Sequence, residues 1–331
     1  MKALARIGCA AVAFLVLATA ADAVSGREYV LWTGRKVYVT ADGHSWRQVT
    51  PRGAVQPATF KAIDAVAFRG AREGWLISSD CSTGRGSVYR SSDGGRSWKA
   101  YVFHAHSCVG GANFSLNVES DSRAWVLQNE PTGPNSRVYR TTNSGRSWQL
   151  VAKLATYGGK VAFVSPRDGW LAGQRLLRTV DGGRSWEIQP LPAPDGYSGR
   201  LVILTAPRFF GREGVLAGQF GSDKPVIGFY RTGDRGRSWH LLSTLPGSVP
   251  GVFPQFVLTA ASASTSWLLT AGTKPAVHVT RDGGRHWSSH PLLRRLYAPV
   301  ALSARVAAAS DFHGIPYVTR DGGRTWRRLN L

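Results

Sequence analysis

Short runs rich in Val, Tyr, Leu and Thr alternate with clusters of Gly, Asp and Ser along nearly the whole chain, and no segment keeps a helical period. This pattern predicts an all-β protein. One stretch shows the unit, with strands expected over about Asp64–Phe68, Gly74–Ser79, Ser87–Ser91 and Trp98–Val102. We label these strands A to D.

A tight turn ending in tryptophan recurs between the third and fourth strands: VYVTADGHSW, VYRSSDGGRSW, VYRTTNSGRSW, LLRTVDGGRSW, FYRTGDRGRSW, VHVTRDGGRHW and PYVTRDGGRTW. From Trp46 to Trp326 the seven tryptophans recur at a mean spacing of about 47 residues, the length of one four-stranded propeller blade. The expected fold is one seven-bladed β-propeller over residues 24–331. A second motif opens strand B, at Gly74-Trp75, Ala124-Trp125, Gly169-Trp170, Gly214-Val215 and Ser266-Trp267, with Val306 as a weaker counterpart in the last blade. These are read as packing positions between blades. Strands A are expected near Asp64, Phe114, Lys160, Leu201, Phe256 and Pro299, six strands for seven hairpins. Either blade one has three strands, or its innermost strand comes from the N-terminal segment.

Within each turn a hydroxyl is followed two residues later by Asp42, Asp93, Asn143, Asp181, Asp234, Asp282 or Asp321, and a glycine stands three residues before the tryptophan. An acceptor two residues after a hydroxyl caps backbone N–H groups of the turn. Glycine supplies the positive φ, and tryptophan fills the gap between sheets. The aspartates are therefore read as turn caps and not as acids or bases.

The repeats match the Asp-box, or BNR, motif S/T-x-D-x-G-x-S/T-W of sialidases, sortilin-type receptors and some glycosidases. Together with the strand-B tryptophans they resemble most the photosystem II stability and assembly factor family, over about Arg27–Leu331. The resemblance implies an exported seven-bladed propeller that escorts membrane proteins during assembly.

The N-terminus changes the compartment. Lys2 and Arg6 precede an apolar run from Ile7 to Ala20, and Ala21-Asp22-Ala23 forms a small-x-small site, the pattern of a secretory signal peptide over residues 1–23. An uncleaved anchor is the alternative. Periplasmic or extracellular localisation is expected. The formal charge of +21, lowered by one on cleavage, favours anionic partners: a protein surface, an envelope polymer or lipid headgroups at a peripheral membrane site. Export argues against nucleic acid. Cys81 and Cys108 remain in the mature protein and would lie in a B–C and a D–A loop on one face, so a disulfide is expected over free thiols or a metal.

No catalytic set is evident. The region matching the sialidase Arg-Ile-Pro segment reads Gly26-Arg27-Glu28-Tyr29-Val30, and Asp80, Glu130, Asp195, Asp223 and Asp311 are scattered among blades. His104, His106 and Cys108 are too close together to converge easily on one zinc. No metal and no cofactor are expected. Arginine placement is the remaining lead. Arg96, Arg146, Arg184, Arg237, Arg285 and Arg324 stand two residues before the box tryptophan. The A–B loops, expected on the same face, add Arg69, Arg72, Arg123, Arg167, Arg208 and Arg212. Arginine suits bidentate recognition of carboxylate or phosphate. Against this, Glu73, Asp121, Asp168 and Glu213 share those loops, and solvated arginines imposed by the repeat would look the same. The expectation is a monomeric, non-catalytic propeller that binds a protein or anionic envelope component in a scaffold role. The alternative is a carbohydrate-active enzyme or a glycan-binding propeller.

Overall fold

The computed structural model describes residues 29–331 apart from 34, 56–60, 81–84, 105–112, 130–133, 157, 248–255 and 273. The signal peptide, both cysteines of the expected disulfide, His106 and Glu130 lie outside the described residues. Seven antiparallel sheets hold the regular structure, and the described residues contain no helix. Blade two runs Lys61–Arg69, Glu73–Asp80, Arg85–Ser91 and Lys99–Phe103, hydrogen-bonded in that order. Later strands A begin at Asn113, Lys160, Leu201, Phe256 and Tyr297, as the pattern predicts.

Burial falls from the inner strands to the outer one. Strand B of blade three, Ala124–Asn129, is buried at every position, because both its faces pack on neighbouring sheets. Its strand D, Gln149–Leu154, is exposed or half-buried throughout. In blade five strand A is split into Leu201–Leu204 and Arg208–Phe210, both pairing with Glu213–Phe220. Pro207 falls in the break, having no N–H for the ladder. Thr205 bridges it, its hydroxyl accepting the Ala217 N–H at 2.9 Å.

The tryptophans couple each blade to the next. Trp75, Trp125, Trp170 and Trp267 are fully buried. Trp75 meets the box Trp148 of blade three edge-on at 6.3 Å. Trp125 stacks on Phe163 of blade four at 3.9 Å, and Phe163 meets the box Trp186 at 5.9 Å. Trp170, Phe209 and Trp239 repeat the series, and Trp267 packs on Trp326 at 6.4 Å. Aromatic area between sheets thus replaces a single central core.

The tryptophan-equivalent position of strand B in blade seven is two residues beyond Val306, where the sequence places it. Ala307 faces Thr319 and Ala308 faces Val318, the register that Gly74 and Trp75 hold against Ser91 and Arg90. Val306 lies just before the strand. Ala308 instead joins Leu31 and Tyr38 of blade one in a small buried cluster. Blade one shows three strands among the described residues, Tyr29–Trp32, Val37–Thr40 and Arg47–Gln48. Tyr29 faces Thr40, so these are strands B, C and D. The first and last blades close the ring: the Tyr29 hydroxyl donates to the Leu302 carbonyl at 3.1 Å, and Arg320 donates to the Gly43 carbonyl at 2.9 Å.

Candidate functional site: the arginine face of the box turns

Each box turn is a closed hydrogen-bond circuit. In blade two the Ser91 hydroxyl donates to Asp93 Oδ1 at 2.8 Å and accepts the Gly95 N–H at 2.7 Å. Asp93 then accepts the Ser97 N–H at 2.9 Å and the Ser97 hydroxyl at 2.6 Å. Asp181, Asp234 and Asp321 repeat this. Blade six substitutes His286, whose Nδ1 lies 2.6 Å from Asp282 Oδ2. In blade one Asp42 takes the His44 and Ser45 amides. In blade three Asn143 accepts the Ser147 N–H and donates its amide to the Ser147 hydroxyl.

These bonds hold the carboxyls in the charged form. The Ser97 hydroxyl and amide pull Asp93 well below the usual carboxylate range. For Asp321 burial pushes upward, but the bonds from Thr325 and Thr319 prevail and hold it near 2. An acid whose lone pairs are spent on its own turn is a cap.

The face on which these turns sit is set by backbone bonds. Gly94, Ser144, Gly182, Arg235, Gly283 and Gly322 donate their N–H groups to the carbonyls of Arg72, Ser122, Arg167, Arg212, Ser264 and Arg305 at 2.8–3.0 Å. Box turns and A–B loops therefore share one face. Arg96, Arg184, Arg285 and Arg324 curl back, each giving one Nη1 bond to the carbonyl of its own box aspartate at 2.8–3.3 Å. Arg72 and Arg167 rest their Nε groups on Ser92 and Val180 carbonyls. All six of these side chains are exposed.

Three of the twelve predicted arginines do not serve a free face. Arg69 pairs with Asp121 at 3.0 Å and Arg123 with Glu119 at 2.7 Å. Arg208 is half-buried in the second segment of the split strand and not in a loop; burial, aided by the Arg208 charge, lowers the Lys160 ammonium to about 7. The other nine, Arg72, Arg96, Arg146, Arg167, Arg184, Arg212, Arg237, Arg285 and Arg324, are exposed with no carboxylate partner among the described residues. Sequence reasoning missed Arg235 and Arg305, which are exposed on the same face.

It also missed a second layer of arginines beneath the first. The motif itself signals it, with Arg90, Arg140, Arg178 and Arg231 standing just before the box hydroxyl. Arg90 pairs with Glu73 at 2.9 Å and donates to the Asp121 carbonyl of blade three at 2.7 Å. Arg178 lies 3.9 Å from Asp168, and Arg231 pairs with Glu213. The acids that share those loops with the outer arginines are thus engaged by Arg69 and this inner layer. Over blades three to five, Arg146, Arg167, Arg184, Arg212, Arg235 and Arg237 are all exposed. There Asn143 leaves Arg146 without an acidic cap, and Arg212, Arg235 and Arg237 surround the single Asp234.

A model of the family described as photosynthesis system II assembly factor YCF48 matches residues 141–291. A sequence comparison with curated proteins returns no match. Among solved structures, "YCF48 bound to D1 peptide" is 16% identical with a TM-score of 0.55, covering 83% of this protein and 84% of that one. YCF48 from Cyanidioschyzon merolae is 18% identical with a TM-score of 0.56, covering 87% and 89%. The GH74 xyloglucanase of Xanthomonas campestris is 16% identical with a TM-score of 0.56, covering 91% of this protein and 53% of the enzyme. At these identities the structural likeness carries the fold alone. The protein is a seven-bladed Asp-box β-propeller that resembles the photosystem II assembly-factor family.

Proposed function

We propose that the protein is an exported, non-catalytic propeller that binds a protein partner through the arginine face over blades three to five, in an assembly or scaffold role at the cell envelope. The observation that carries this is the division of labour between two arginine layers. Arg90, Arg178 and Arg231 engage the loop acids, so Arg146, Arg167, Arg184, Arg212 and Arg237 keep their charge for a ligand. Guanidinium groups held by one carbonyl bond keep a fork of donors suited to the carboxylates of acidic side chains or of a peptide's last residue. The peptide-bound YCF48 structure supports a peptide-binding use of this architecture.

The acids of the box turns and of the A–B loops favour a binding role over glycoside hydrolysis. The box acids cap turns, and Glu73, Glu119, Asp121, Asp168, Glu213 and Asp311 all face arginines. Capture of envelope proteins at graded salt tests the proposal. Replacing Arg146, Arg184 and Arg237 together with alanine is expected to weaken capture and flatten its salt dependence. Unchanged capture overturns the assignment of this face.

A further inference from the structure

The opposite face carries a different surface where blades six, seven and one meet. Leu293, in the loop between blades six and seven, is 104% exposed, and Phe312, in the B–C loop of blade seven, is 62% exposed. Neighbouring residues join these two tips. Arg294 lies 3.9 Å from Asp311 and donates to the Tyr317 hydroxyl at 2.5 Å. The remaining large exposed apolar side chains include Val102, Leu150, Ile188 and Leu242, which lie on outer strands D or at their ends, the ordinary scatter of a soluble surface.

Around the tips the charge is one-sided. Arg294 and Arg295 follow Leu293, Lys274 lies in the B–C loop of blade six, Arg35 and Lys36 lie in that of blade one, and Arg328 ends the last strand. Asp311 is the one acid there among the described residues, and it is committed: it caps the His313 and Ile315 amides at 2.9 Å and accepts from Tyr317. Arg295 is tied to the Gly272 carbonyl at 3.2 Å, which fixes the loop on blade six. Across the seam, a cavity of about 670 Å³ opens between blades seven and one, with Arg35, Lys36, His313 and Arg328 among its lining residues. The box face differs in kind, since each of its box-turn arginines but Arg146 follows an ionised cap.

We propose that this seam is a docking surface for an anionic lipid bilayer, with Leu293 and Phe312 entering the acyl boundary and the basic cavity taking headgroup phosphates. The charge decides the occupant. Two protruding apolar tips on separate loops form no groove for a peptide or helix, and Asp311, committed to its own loop, leaves the flanking bases without an available acidic side chain to pair with a protein's basic groups. Insertion of apolar side chains together with attraction to anionic headgroups is how peripheral proteins hold a bilayer, and each basic residue at such a surface strengthens binding about fivefold.

Flotation of the full-length protein with vesicles tests this, using phosphatidylcholine containing phosphatidylglycerol against phosphatidylcholine alone. Binding is expected only to the anionic vesicles. Leu293→Asp with Phe312→Asp should reduce it at least tenfold, and Arg35→Glu with Lys36→Glu should do so as well, with thermal midpoints unchanged for both. All variants share residues 1–28, so the differences report on the loops. As a positive readout, Phe312→Trp should add fluorescence that brominated lipids quench. No preference for anionic vesicles, binding that survives both double variants, or no added quenching at position 312 overturns the proposal, and leaves the seam to a protein or a soluble polyanion.

Discussion

The guanidinium of Arg90 lies 4.0 Å from the centre of the Trp75 ring, directly across the ladder between strands B and C. That contact joins three tasks in one side chain: it covers a buried indole, engages Glu73, and reaches the Asp121 carbonyl of the next blade.

Removing it should therefore cost far more than removing an arginine of the outer layer. Arg90→Ala leaves Glu73 largely buried without its partner, a loss of about 3 kcal/mol. Arg96→Ala loses one exposed bond and should change stability by less than about 0.5 kcal/mol. Urea unfolding of the two variants measures the contrast, and equal losses would dissolve the distinction between the layers.

The caps make a graded prediction. Asp181→Asn keeps an acceptor for the turn amides, as Asn143 does in blade three, and should be nearly neutral. Asp181→Ala removes the acceptor of the Arg184 and Ser185 N–H groups, and a lost cap of this kind costs about 1 kcal/mol. Thermal denaturation separates the two variants.

Backbone strain appears where the repeat departs from Asp-Gly. Ser144 and Arg235 hold φ of 62° and 61°, where Gly94, Gly182, Gly283 and Gly322 stand in other blades. An L side chain there costs roughly 1–2 kcal/mol, partly offset by the greater freedom glycine has when unfolded. Arg235→Gly should raise stability by about 0.5 kcal/mol. Conversely, Gly182→Ala should destabilise strongly, since its Cβ would lie 2.8 Å from the Pro166 carbonyl oxygen. Thermal midpoints of the two variants, moving in opposite directions, check both.

Asp64 sets a pH dependence. It is the bulged residue of strand A in blade two, and burial pushes its carboxyl up to about 8 despite bonds from Ser79. A folded pKa raised above the unfolded value means that the unfolded protein loses its proton first. Stability is thus fully present below about pH 4 and falls as the pH rises to about 8. Asp64→Asn should abolish that part of the decline and stabilise the protein at pH 8 relative to pH 5 by about 2 kcal/mol or more. Parallel declines in the two proteins would show that Asp64 titrates normally.

Blade number, strand order and turn chemistry were legible because each rests on contacts within a few residues. The bond from Thr179 to Asp181 spans two positions and that from Ser185 to Asp181 spans four, so the motif contains its own explanation. Reading failed where packing substitutes for motif. Ala308 stands where four other blades place tryptophan and packs with Leu31 and Tyr38 of blade one, and no local pattern marks an alanine as the equivalent of Trp267. The inner arginines were visible as letters, but their partners were not.

By itself, then, the sequence determined the propeller, its seven caps and the side of each blade on which an arginine sits. Tertiary structure alone decided which arginines are free. Arg69 ends strand A of blade two and Arg72 lies in the turn just after it, yet Arg69 is paired with Asp121, a residue of the next blade, and Arg72 faces no carboxylate among the described residues. A local repeat fixes where a charge stands. Whether that charge is neutralised depends on side chains brought beside it when neighbouring blades pack, and that juxtaposition has no counterpart in the spacing of residues along the sequence.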